Sequence, residues 1–133
     1  MILTETWILS IHLKTENMKQ LTHSFSGEVK TLDFGVMYYL KYLGEYTKGD
    51  PFTITGDEVQ NPAKVFNYCT GLVYSGINAF NKLNKLPLIT IEDAEDMVGR
   101  FTDDEATSFI KGYTALQLVG EVEPGGSPSP GTN

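Results

Sequence analysis

NPAKVFNYCTGLVYSGINAFNKL, residues 61–83, is the stretch on which the fold turns. Asn is a strong helix N-cap, and Pro at the first helical position gives up only an N–H that would have had no intrahelical partner. From there Val65, Phe66, Cys69, Leu72, Val73, Ile77, Phe80 and Leu83 recur at helical spacing. A stripe that broad needs several neighbours to cover it, so the pattern predicts a central helix running to about Lys82. Gly71, Ser75 and Ala79 recur every fourth residue along it. They either let a neighbouring helix come close or sit incidentally on a solvent face; each helical Gly costs about 1 kcal/mol against Ala, a cost that tight packing offsets.

Upstream, Thr31 reads as the N-cap of a first helix, with Asp33 suited to the positive end of its dipole and Leu32, Val36, Tyr39, Leu40 and Leu43 on one face. Gly44 weakens the end of that helix, and Gly49-Asp50-Pro51 stops it. Pro51 to Gln60 then reads as a loop in which Phe52 and Ile54 form a small extended segment. Before the helix, Leu21, His23 and Phe25 alternate, Ser26-Gly27 supplies a turn, and Glu28 to Lys30 return as a short antiparallel hairpin. A lone hairpin is marginal in water, so it must lean on the helices. Trp7, Leu9, Ile11 and Leu13 also alternate like a strand, with Ile8 the exception, and Met18 is a second candidate start that would make residues 1–17 an upstream extension.

Downstream, Asn84 to Leu88 is a connector. Thr90 with Asp93 resembles a capping box with the shorter carboxylate, and Thr102 with Glu105 is a full Thr-x-x-Glu box. Ile91, Ala94, Met97 and Val98 line a short helix; Ala106, Phe109, Ile110, Tyr113 and Leu116 line a last one. The expected fold class is mainly α, a small domain of about four helices with a short N-terminal β-hairpin or strand and a disordered C-terminal tail. Its organisation is an N-terminal extension over 1–18, a helical domain over 19–120 and a flexible Gly/Pro/Ser tail over 121–133, whose composition has too little apolar surface to offset ordering.

Composition narrows the function. A chain of 133 residues supports one core. Ten basic against 17 acidic residues leave a net charge of -7, which argues against nucleic acid as a partner, because that affinity comes largely from Lys and Arg displacing counterions. No apolar run approaches the roughly 20 residues that span a bilayer, and Met1 to Trp7 has no basic n-region, so neither a membrane nor a secretory route is expected. The one cysteine, Cys69, cannot close an intrachain disulfide and lies in an apolar helical pattern; it suits a cytoplasmic protein and reads as a small core hydrophobe.

Catalytic candidates have plainer explanations. Glu92, Asp93, Glu95 and Asp96, and then Asp103, Asp104 and Glu105, sit in or beside the first turns of helices, where the dipole favours negative charge by about 0.3–1 kcal/mol. There is no Asp-x-Asx-x-Asx-Gly loop and no Gly-rich phosphate loop, and His12 and His23 stand too isolated to hold zinc. The reading is therefore a non-enzyme, with no cofactor, no metal site and no catalytic residue. More suggestive are Tyr38, Tyr42 and Tyr46, four residues apart and well off the centre of the first helix's apolar face. Tyr is favoured at interfaces because one end is apolar and the other tolerates water, so the three are candidate partner-binding residues. The alternative is that their rings border the domain's own core.

Three segments carry a resemblance: Lys30-Thr31-Leu32-Asp33-Phe34-Gly35 with the following Tyr39-Leu40, then Thr70-Gly71-Leu72-Val73-Tyr74-Ser75-Gly76, then Thr90-Ile91-Glu92-Asp93-Ala94-Glu95-Asp96-Met97. In this order they resemble the tail assembly chaperones of long-tailed (siphovirus-like) bacteriophages, over roughly residues 19–118. Residues 1–17 and the loop from Gly49 to Gln60 have no counterpart in that pattern. The resemblance implies a non-catalytic factor in the host-cell cytoplasm that binds the tape measure protein and tail tube protein during virion morphogenesis. In many such proteins a translational frameshift adds a C-terminal domain that recruits tube subunits. A homo-oligomer is left open. The rival expectations are a structural virion protein, such as a head-tail joining or tail-terminator component, and a small helical DNA-binding regulator, which the acidity disfavours.

Overall fold

Residues 19–122 are described by the computed structural model, with side chains through residue 117. The elements are β1 (Gln20–Phe25), β2 (Glu28–Asp33), α1 (Met37–Thr47), a 3-10 turn (Glu58–Gln60), α2 (Pro62–Leu83), α3 (Ile91–Gly99) and α4 (Asp103–Val122). Four helices and one two-stranded hairpin are the expected class. The alternating segment Trp7 to Leu13 and the tail beyond Val122 lie outside the described residues.

α2 starts where its cap says it should. The Asn61 side chain accepts from the N–H of Ala63 at 3.0 Å and of Lys64 at 3.3 Å, with Pro62 opening the helix. From Cys69 to Ala79 every residue except Tyr74 is buried, so this segment is the axis that the rest of the molecule wraps. Small residues mark where neighbours cross it. A Cβ added to Gly71 would stand 2.5 Å from Phe52 and 3.0 Å from Tyr46, and one added to Gly76 would stand 2.7 Å from Phe34 and 2.8 Å from Leu32. The loop before the 3-10 turn and the end of α1 therefore cross at Gly71, and the hairpin crosses at Gly76. Ser75 and Ala79 are fully buried, which settles the small-residue stripe as close packing rather than a solvent face.

The hairpin is longer than its alternation suggests. β1 and β2 pair antiparallel from Gln20 opposite Asp33 to Phe25 opposite Glu28, closed by Ser26 and Gly27 at φ 54° and 89°. Both positive values belong to the tight turn whose twist matches paired strands. Thr31 sits in the ladder opposite Thr22, so it is not a helix cap, and α1 begins six residues later, at Met37. The competing influence is Leu32, which is fully buried against α2 and gains more from the strand than from a helix start. Asp33 closes the strand instead: one carboxylate oxygen accepts from the Gly35 N–H at 2.9 Å and the other from the Gln20 side-chain amide at 3.1 Å.

The inward face of α1 also differs from the expected stripe. Tyr39 and Tyr42 are buried, while Leu40 is 54% exposed and Met37 77% exposed. Lys48, at φ 56°, ends the helix by donating its N–H to the Gly44 carbonyl at 2.8 Å. Phe52 and Ile54 form no strand; Phe52 stacks on Tyr68 with centroids 4.6 Å apart, and the single 3-10 turn follows.

α3 carries the reciprocal box, with the Asp93 N–H on the Thr90 hydroxyl and the Thr90 N–H on the Asp93 carboxylate, both at 3.0 Å. Ahead of it, buried Asn78 of α2 takes the Ile89 N–H at 2.8 Å and gives its amide to the Ile89 carbonyl at 3.0 Å, pinning the connector. At α4 only half of the expected box forms. Thr102 accepts from the Glu105 N–H at 3.1 Å, but the Glu105 carboxylate turns to His23 of β1, 2.8 Å away. The His23 ring there packs among Phe25, Phe101 and Phe109, and this cluster docks the hairpin on α4.

Candidate partner-binding groove

The first turns of α2 behave differently from its centre. Phe66 is 38% exposed although it belongs to the apolar stripe, and Val59 of the preceding turn is 45% exposed. The cause is the direction of α4, which is held by the hairpin and by α1: Gly112 faces Leu21, and the Tyr113 and Tyr39 hydroxyls meet at 2.9 Å. Tethered there, α4 does not close over the start of α2. A groove of about 690 Å³ remains, with Val65 and Phe66 on one wall, Ala106 and Ile110 on the other, Val98 and Phe101 at the α3–α4 corner, and Val59 at the lip. Asp103 and Lys111 line it with opposite charges.

Cys69 is fully buried, and desolvation pushes its thiol up to about 12 from 9.0, the reverse of what a nucleophile requires. His23 and Glu105 form a His–carboxylate pair, but among the described residues the ring makes no hydrogen bond to a Ser, Thr or Cys, and aromatic rings surround it. Among the same residues no three His, Cys, Asp or Glu side chains converge as metal ligands. No described helix is long and apolar enough to cross a membrane.

The tyrosine stripe lies partly buried, with Tyr42 inside and Tyr38 and Tyr46 half-exposed. Tyr38, Tyr42 and Tyr46 do share a side of α1, but that side faces the protein. Tyr42 is 4% exposed and meets Tyr74 of α2 edge-on at 6.2 Å. The Tyr46 hydroxyl donates to Asn67, with the side-chain oxygen at 2.6 Å, and burial raises its pKa, aided by the charge of Glu95. Tyr38 is half-buried against the core. The rings border the domain's own core, as the alternative reading allowed, with Tyr38 and Tyr46 also reaching solvent. The groove was not foreseen. Its signal was the width of the α2 stripe at Val65 and Phe66, which reads as core until the path of α4 is known.

No protein-family model, no curated protein and no solved structure matches this chain.

Proposed function

We propose that the protein is a non-catalytic tail assembly chaperone of a long-tailed phage, which binds the tape measure protein, tail tube subunits or both in the host cytoplasm during tail morphogenesis. The observation that carries this reading is the open apolar groove between α2 and α4, which leaves Phe66 and Val59 exposed on a molecule of net charge -7. An assembly chaperone needs that combination: an apolar surface that covers a sticky partner and an acidic exterior that keeps the pair dissolved.

The motifs behind the resemblance also have defined physical roles. Leu32 and Phe34 bracket the crossing at Gly76, the segment from Thr70 to Gly76 forms the buried axis, and Thr90 with Asp93 caps α3. They are features of a scaffold, and the groove is built on that scaffold.

Coexpression with the tape measure protein of the same phage tests the reading. The chaperone holds the tape measure protein in the soluble fraction and copurifies with it, and mass spectrometry of finished virions finds the chaperone absent. Stoichiometric recovery from virions instead identifies a structural tail or joining protein.

A further inference from the structure

We draw no further inference here: the strongest candidate, the exposed patch of Leu83, Leu86 and Leu88 where α2 ends and the connector to α3 begins, is an apolar face with nothing in the structure to show what covers it.

Discussion

Gly76 stands in the buried middle of α2. It is helical, so its lack of a side chain looks like a weakness, yet Leu32 and Phe34 of the hairpin fill the space a methyl would need. Gly76→Ala should therefore destabilise by about 1–3 kcal/mol, because besides the Phe34 ring edge at 2.7 Å the new methyl meets the Cβ of Leu32 at 2.8 Å, which cannot swing away. Gly44→Ala in α1, where nothing stands within 4 Å, should stabilise by about 0.5–1 kcal/mol. Urea denaturation of the two variants measures both signs, and a stable Gly76→Ala protein would contradict the crossing described above.

Cys69 was legible, since an isolated cysteine in an apolar stripe packs as a hydrophobe. Its thiol stands at about 12 when folded against 9.0 unfolded, and Tyr68 at about 12 against 10.0, both mainly through burial. The folded state holds more protons between those values, so stability falls as pH rises there. A melting series should be level up to about pH 9 with respect to these groups and decline from there toward pH 12. Native Cys69 should also resist a thiol reagent at neutral pH until denaturant is added. Asn78 was not legible, because its partner Ile89 lies 11 residues away and a bond to connector backbone leaves no mark in periodicity. Asn78→Ala strands the Ile89 backbone groups and should cost about 2–3 kcal/mol by chemical denaturation, with accelerated amide exchange at Ile89.

Among elements, those with a chemical start signal were readable and the one without was not. Asn61-Pro62 and Thr90 with Asp93 place α2 and α3 correctly because each cap is a local bond between near neighbours. Thr90→Ala should lower stability by about 1 kcal/mol, read as a shift in thermal midpoint. α1 has no side-chain cap at all, and Thr31 offered a plausible false one. The decision there is tertiary: Leu32 is worth more buried against α2 within a strand, and that burial depends on a partner more than 40 positions along the chain. Glu105 shows a related limit, since its spacing from Thr102 fits a capping box but His23 of β1 takes the carboxylate.

For the molecule as a whole, charge and motif inventory could be read directly, but the groove could not. Phe66 and Ile110 belong to stripes that any two packed helices would share, and their partial exposure follows only from α4 being held toward the hairpin and α1. In the proposed reading the molecule works by holding a partner between α2 and α4. Hydrogen exchange of the full chain, alone and saturated with a tape measure fragment, tests it most directly. The account predicts new protection in residues 59–66 and 98–111, with α1 unchanged. Protection confined to Met37–Thr47, or none anywhere, would contradict it.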